Sequence, residues 1–114
     1  MSKIGIIYNP NAGTGKIKKL LKIKEHLDLN HSVTIFDTKK PGDATEIAKR
    51  ESGNFDIIVA AGGDGTINEV INGIQKDTIL GIIPLGTANI LAIEAGIKND
   101  IKSICKSIEQ GITK

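Results

Sequence analysis

Apolar residues fall into short runs along the chain, and these runs alternate with segments of helical periodicity. The runs at 3–8, 32–36, 57–61 and 79–83 are rich in β-branched residues and predict four strands. The run at 57–61 is apolar throughout and is followed by glycines, which is typical of a strand buried on both faces of a parallel sheet.

Helices are predicted between and after these strands. From Lys16 to Leu27, apolar residues recur at helical spacing with lysines between them. Asp43 and Thr66 are candidate N-caps for two shorter helices, because their side-chain oxygens can accept hydrogen bonds from a first helical turn. Two further helices are predicted at 89–95 and 101–109. This alternation predicts an α/β fold, a three-layer Rossmann-like parallel sheet with helices on both faces.

Glycine-rich, polar loops follow the first, third and fourth predicted strands. In open parallel sheets, ligands bind at the carboxyl ends of the strands, near the point where the strand order reverses. We therefore expect these loops to converge on one edge of the sheet.

Composition limits the classes of protein to which the chain can belong. Its 114 residues are enough for one domain with its own core, and 39% apolar and 25% charged residues are typical of a soluble globular protein. A single cysteine, Cys105, excludes an internal disulfide and fits a cytoplasmic location. A net charge of +2 and three aromatic residues do not indicate a nucleic-acid partner.

The segment Gly62-Gly63-Asp64-Gly65-Thr66 is the strongest chemical signal in the sequence. Glycines after a buried strand let the backbone approach a ligand closely, and a following helix start presents N–H groups to an anion such as phosphate. Asp64 would repel a phosphate unless a cation lay between them. The segment therefore predicts a nucleoside triphosphate with Mg²⁺; a tight strand-to-helix turn with a capping aspartate is the alternative.

Two other loops could contribute to the same site. Residues 9–16 offer backbone N–H groups and a lysine at a helix start, but they match neither a Walker A loop nor a dinucleotide fingerprint. Residues 84–89 combine Pro84 and Gly86 with the polar side chains of Thr87 and Asn89. A plain surface turn and helix capping are the respective alternatives.

In this order, the loops resemble those of the diacylglycerol kinase catalytic-domain family, which includes bacterial lipid kinases and sphingosine kinases. The matching segments are Asn9-Pro10-Asn11-Ala12-Gly13, Gly62 to Glu69 and Pro84 to Asn89, together with Thr38 and Gly42-Asp43-Ala44. The central glycine motif also occurs in NAD kinases and phosphofructokinases, on a related fold. The third loop and Asn68-Glu69 favour the lipid kinases.

The resemblance implies a fold like the N-terminal domain of NAD kinase and diacylglycerol kinase-like proteins. It also implies ATP as a ligand and Mg²⁺ as its counterion. Asp64 is implied as the catalytic residue, acting on Mg²⁺ indirectly through water or phosphate. The implied ATP contacts are Asn9, Pro10, Asn11, Ala12, Gly13, Thr38, Gly63, Asp64, Gly65, Thr66, Ile67, Asn68, Glu69 and Thr87.

Two departures from the family pattern bear on activity. Ile90 stands where many members have an aspartate, which removes one possible acidic partner of the metal. Family enzymes also have a further β-rich domain, expected to supply the catalytic base and the lipid pocket. We expect residues 1–114 to be a single nucleotide-binding domain that lacks this second domain, is inactive or nearly so alone, and self-associates through the face left uncovered.

Three functional hypotheses follow. In the first, the intact protein transfers the γ-phosphoryl group of ATP to a lipid hydroxyl, such as that of diacylglycerol, in phospholipid biosynthesis. The protein would then be cytoplasmic and would contact the inner face of the membrane peripherally. In the second, the chain is a non-catalytic nucleotide-binding module. The third makes it part of an NAD kinase-like enzyme.

Overall fold

A parallel sheet lies at the centre of the structure, a computed structural model that describes residues 2–12, 16–86, 93–94, 96 and 100–111. Within these residues, all neighbouring strands run parallel, and their order across the sheet is β2-β1-β3-β4. The strands are β1 (Lys3–Tyr8), β2 (Ser32–Asp37), β3 (Ile57–Gly62) and β4 (Ile79–Pro84).

Helices cover both faces of the sheet, which confirms the predicted α/β architecture. The helices of the described part of the chain are α1 (Lys16–Asp28), α2 (Asp43–Glu51), α3 (Asp64–Gly73) and α4 (Ile101–Gln110). Helices α1 and α4 pack on one face of the sheet, and α2 and α3 pack on the other. Short 3-10 turns follow β1 at Pro10–Ala12 and α2 at Ser52–Asn54.

Alternation along the two central strands divides the core into two apolar clusters. Ile6 of β1 and Val59 of β3 point towards α1 and α4, whereas Ile7 and Ile58 point towards α2 and α3. All four side chains are fully buried. Each such burial stabilises the fold by about 1.5–3 kcal/mol before the entropy cost of ordering the chain is subtracted. The sheet therefore connects both halves of the core.

Cys105 lies in the apolar cluster between the sheet and helices α1 and α4, as a packed thiol. Burial raises the pKa of Cys105 above its ordinary value, and the negative charge of Glu109 raises it further. The thiol is therefore kept protonated at neutral pH and acts as a small apolar side chain.

The predicted N-cap of α3 is wrong. The helix begins at Asp64, because the carbonyl of Gly63 already accepts the helical hydrogen bond from Ile67 N at 3.1 Å. Gly63 is extended, with φ −86° and ψ −171°, and occupies the N-cap position. Thr66 therefore lies inside the first turn, where its side chain packs over Gly62 instead of capping the helix.

The predicted N-cap of α2 is also wrong. Gly42 is the N-cap residue, and its φ of 91° lies in the left-handed region that favours glycine. Asp43 is the first helical residue, and its carboxylate faces backwards along the chain. One of its oxygens accepts hydrogen bonds from the backbone N–H groups of Lys39 at 2.7 Å and Lys40 at 3.1 Å. The aspartate thus stabilises the preceding loop.

The remaining helix predictions have different outcomes. The helices predicted from Lys16 and over 101–109 are confirmed to within one residue at their ends. The helix predicted over 89–95 lies largely outside the described residues.

Helices α2 and α3 pack so closely that one glycine at their contact has no room for a side chain. A Cβ atom at Gly73 would clash with the backbone carbonyl of Thr45 and lie 3.0 Å from Cβ of Ala48. We expect Gly73→Ala to lower the free energy of unfolding by about 1–3 kcal/mol, because the two helices must move apart. Urea denaturation followed by circular dichroism measures the change. The control Gly53→Ala, where no atom lies within 4 Å, should change stability by less than about 0.5 kcal/mol. Equal effects of the two substitutions would contradict the packing argument.

Candidate functional site at the carboxyl edge of the sheet

The strand order reverses between the two central strands. The chain leaves β1 through α1 to reach β2 on one side, and it leaves β3 through α3 to reach β4 on the other. Because the two connections diverge, a crevice opens at the carboxyl ends of β1 and β3. The loops after these strands lie at this edge, as the sequence predicts.

Backbone hydrogen bonds extend the sheet ladder into each loop. Asn9 N donates to the carbonyl of Ala61 at 3.2 Å, and Thr38 N donates to the carbonyl of Tyr8 at 2.9 Å. After β4, Leu85 N donates to the carbonyl of Gly62 at 2.9 Å. Each loop therefore begins from a fixed point, and the first residues of the three loops are held at one edge.

A cavity of about 230 Å³ lies at this edge, between the amino-terminal ends of α2 and α3. The loops after β1 and β2 form its other walls. Its lining residues are Asn9, Asn11, Thr38, Lys39, Lys40, Pro41, Ala44, Gly65, Thr66 and Glu69.

Asn9 connects the loop after β1 to helix α3. Its side-chain Oδ1 accepts a hydrogen bond from Asn11 N at 2.9 Å, which shapes the 3-10 turn that follows. Its Nδ2 donates to Oγ1 of Thr66 at 3.4 Å, across 57 residues of sequence. One amide side chain thus fixes both the local turn and the distance between two walls of the cavity.

The glycines after β3 let the backbone approach closely. A Cβ atom at Gly62 would lie 2.8 Å from both Cβ and Oγ1 of Thr66, so this strand end accommodates no side chain. Gly65 faces open space on the cavity wall, with no atom within 4 Å of the position of a Cβ. At Gly65 no side chain covers the first turn of α3, where the first N–H groups of a helix lack an acceptor within the helix itself. Such a turn favours an anion.

The β2–α2 loop, defined here as residues 38–42, brings positive charge to the cavity. Lys39 and Lys40 both line it, and the Asp43 carboxylate holds their backbone N–H groups. At the far end of the loop, Gly42 N donates to Oε1 of Glu69 on α3 at 3.0 Å. The loop is therefore attached to both of the helices that enclose the cavity.

A lysine on the opposite face of the sheet positions the loop after β4. Lys19 of α1 donates from Nζ to the carbonyl of Pro84 at 3.0 Å. Partial burial lowers the pKa of Lys19, and the positive charge of Lys16 lowers it further. This contact joins α1 to the end of β4, just before Leu85 and Gly86.

A family model describing the diacylglycerol kinase catalytic domain matches residues 3–114. The chain belongs to this family. It is similar to the diacylglycerol kinase of Bacillus subtilis (strain 168), at 38% identity over 121 residues, which covers 100% of this chain and 40% of that protein. It is also similar to the diacylglycerol kinase of Staphylococcus aureus (strain MRSA252), at 39% identity over 115 residues, covering 93% of this chain and 36% of that protein.

Solved structures show the same fold in the family. The crystal structure of a diacylglycerol kinase from Bacillus anthracis str. Sterne matches with a TM-score of 0.83 and 34% sequence identity. The match covers 95% of this chain and 42% of that chain. The chain thus spans well under half the length of these relatives.

Most of the residues implied by the family resemblance lie around the cavity, but not all of them line it. Six do so: Asn9, Asn11, Thr38, Gly65, Thr66 and Glu69. Gly63 and Asp64 form the start of α3, while Pro10 and Ala12 belong to the 3-10 turn after Asn9. Ile67 is fully buried in the core, and its backbone N–H donates to the carbonyl of Gly63. Asn68 is exposed on α3, and Gly13 and Thr87 lie outside the described residues, as does Ile90.

Four cavity residues were not predicted: Lys39, Lys40, Pro41 and Ala44. A signal for the lysines exists in the sequence, since two adjacent cations follow the end of a predicted strand directly, at the edge where a phosphate is expected. Pro41 carries no comparable signal, because it lines the cavity through shape alone. Ala44 belongs to the matching segment Gly42-Asp43-Ala44, but it is not among the implied ATP contacts.

The described residues contain no group of three or more histidine, cysteine or acidic side chains close enough to hold a metal ion together. Asp64 is the first residue of α3, where the helix dipole stabilises its carboxylate. A single carboxylate at this position fits an indirect role towards a cation whose other ligands are phosphate oxygens and water. In the same part of the chain, no helix is both long and apolar enough to cross a membrane.

The two hydrogen bonds of the Asn9 side chain predict its contribution to stability. Asn9→Ala removes both bonds, and we expect the free energy of unfolding to fall by about 1–2 kcal/mol. Chemical denaturation measures the change. The matched control Asn72→Ala, at an exposed position of α3, should stay within about 0.5 kcal/mol of the wild type. A loss at Asn9 no greater than that at Asn72 would show that the side chain does not join the loop to α3.

Proposed function

We propose that this chain is the nucleotide-binding part of a lipid kinase that transfers the γ-phosphoryl group of Mg·ATP to a lipid hydroxyl, such as that of diacylglycerol. The observation that carries the proposal is the cavity at the carboxyl edge. The cavity brings together residues of three separate segments, which lie after β1, after β2 and in the first turn of α3. The chain that carries it belongs to the diacylglycerol kinase catalytic-domain family.

The electrostatics of the cavity support a polyphosphate ligand. The first turn of α3 offers N–H groups and the positive end of a helix dipole. Lys39 and Lys40 add side-chain charge from the β2–α2 loop. Phosphoryl transfer depends mostly on positioning and charge neutralisation, so a rigid cavity with donors on several walls suits the reaction.

Asp64 is the residue of this chain that we assign to the metal, through water or phosphate oxygens. Mg²⁺, when bound with ATP, would neutralise charge on the β- and γ-phosphates. In the transfer, the acceptor hydroxyl oxygen forms a bond to the γ-phosphorus. The bond between the γ-phosphorus and the β–γ bridging oxygen breaks, and ADP leaves. The hydroxyl proton passes to a base on the second, β-rich domain of the intact protein.

We propose that the lipid acceptor binds outside the cavity of this chain. The lining is polar and charged, and no lining residue is a large aliphatic or aromatic side chain. We propose that a second, β-rich domain of the intact protein binds the lipid, that the protein acts at the inner face of the membrane in phospholipid biosynthesis, and that it has no nucleic-acid partner. Ile17 and Leu21 of α1 are 42% and 50% exposed, which supports self-association of the isolated chain.

The test is Mg·ATP binding to the chain, measured by isothermal titration calorimetry with Asp64→Asn as the variant. With Mg²⁺ present, we expect the variant to bind ATP roughly tenfold more weakly, because the carboxylate no longer helps to hold the cation. In EDTA the sign reverses, because loss of a negative charge beside the phosphates leaves binding of free ATP equal or stronger. The control Asp77→Asn, on the exposed turn before β4, should leave the affinity for ATP unchanged both with Mg²⁺ and in EDTA.

Lipid phosphorylation is measured separately on the intact protein that contains this chain. Transfer of the γ-phosphoryl group to diacylglycerol in mixed vesicles would support the kinase proposal. A folded chain that binds no Mg·ATP, or an intact protein that phosphorylates no lipid hydroxyl, would refute it. Phosphorylation of NAD instead would favour the NAD kinase-like hypothesis.

A further inference from the structure

Glu69 makes two contacts with the start of α2, one through its side chain and one through its backbone. Its Oε1 accepts a hydrogen bond from Gly42 N at 3.0 Å, and its carbonyl accepts one from Oγ1 of Thr45 at 2.8 Å. We infer that Glu69 is a positioning residue, which holds the β2–α2 loop against the cavity through Gly42. The inference rests on the proposed function, because the loop matters through the nucleotide that it helps to bind.

The backbone conformation of Gly42 directs its N–H group towards Glu69. With φ at 91°, it reverses the chain between the loop and helix α2, a conformation that other residues rarely adopt. Its N–H faces α3 in this conformation and meets the Glu69 carboxylate. A hydrogen bond to an ionised acceptor is stronger than a neutral one, so the carboxylate is well suited to hold a backbone turn at the surface.

The rest of the loop is fixed from its other side. Thr38 N donates to the carbonyl of Tyr8, and the Asp43 carboxylate accepts from the N–H groups of Lys39 and Lys40. Glu69 therefore supplies the attachment of the loop to α3, whereas Asp43 shapes the loop internally. Without the Glu69 contact, the two lysines would still form their turn but would not be held at a fixed distance from the first turn of α3.

The charge of Glu69 also favours positioning over direct contact. A carboxylate on the wall of a phosphate site repels the ligand unless its charge is used elsewhere. The hydrogen bond to Gly42 directs one oxygen of Glu69 towards the loop backbone. Lys39 and Lys40 more than offset the remaining charge on the lining. The residue thus stabilises the wall that carries the cations.

Paired substitutions of Glu69 test this inference. Glu69→Ala removes the acceptor, whereas Glu69→Gln keeps an oxygen that can accept from Gly42 N but removes the charge. Two quantities are measured for each: hydrogen–deuterium exchange of residues 38–42 without nucleotide, and the Kd for Mg·ATP by calorimetry. Glu25→Ala, on the exposed part of α1, is the control for loss of a carboxylate.

For Glu69→Ala, we expect faster exchange in the loop and a Kd raised roughly tenfold, close to the lower limit for a hydrogen bond to a charged group. Glu69→Gln should recover most of both losses, with a Kd within about threefold of the wild type. Glu25→Ala should match the wild type. Thermal unfolding of each variant separates a local change in the loop from loss of the fold.

Gly42→Ala provides an independent route to the same loop. The substituted residue is strained at this φ, so the loop should move and the Kd should rise by a similar factor. If Glu69 acts through Gly42, the double variant should bind no more weakly than the weaker single variant, because both changes break one connection. A rise in the Kd of the double variant equal to the product of the rises in the two single variants would overturn the inference.

The remaining outcomes are also decisive. If Glu69→Gln is as weak as Glu69→Ala, or if the Kd rises without a change in loop exchange, Glu69 acts on the ligand directly and the inference is wrong. Faster exchange with an unchanged Kd, or no change in either quantity, would also refute it. If the wild-type chain binds no Mg·ATP, the proposed function fails, and loop exchange alone decides whether Glu69 positions the loop.

Discussion

Parallel, in-register pairing of β1 with β3 is the constraint on which the rest of the structure depends. It places Tyr8 opposite Ala61, so that both strands end at the same level of the sheet. Because α1 and α3 carry the chain away to opposite sides of this point, a crevice opens between the loops that follow β1 and β3. This pairing brings the loops after β1 and β3 to the same edge, and the buried apolar side chains of the two strands hold it from both faces.

The sequence predicted the architecture because its strongest signals were of the kind that survive tertiary packing. Four apolar runs and a regular alternation with helices leave few topologies that bury every run. The edge at which the loops converge was also predictable, since it follows from parallel strands alone. Residues 62–66 stand out in the sequence because glycines after a buried strand allow both a tight turn and a close backbone approach.

Both predicted helix starts differ from the observed ones. In each case a glycine upstream of the predicted capping residue is the N-cap, directly before Asp43 and three residues before Thr66. At Gly42 the deciding factor is a left-handed φ, and at Gly63 it is an extended backbone beside Gly86. The side chain of Asp43 instead accepts hydrogen bonds from the preceding loop, and that of Thr66 packs over Gly62 and accepts one from Asn9. Local propensity does not contain this information, because it depends on the direction from which the chain enters the helix.

The β2–α2 loop was underestimated in the sequence, although Thr38 was noted. Its importance comes from contacts with residues far along the chain, and no local pattern announces them. Lys39 and Lys40 lie in a turn that Asp43 shapes, and Glu69 of α3 contacts the end of this loop at Gly42. The glycine motif therefore predicts the part of the site at the start of α3, but it does not predict the part that the β2–α2 loop contributes.

The span of the Asn9–Thr66 hydrogen bond has a consequence for how the fold responds to its ligand. The bond joins Asn9 after β1 to Thr66 after β3 and forms only when these two strands have paired, so the cavity exists in the folded chain and not in the unfolded one. A molecule that binds there shifts the folding equilibrium by mass action, by about 2.7 kcal/mol when its concentration is a hundred times its Kd. For a domain of this size that is a large share of the total stability, and the cellular lifetime of the chain is then tied to the concentration of what it binds.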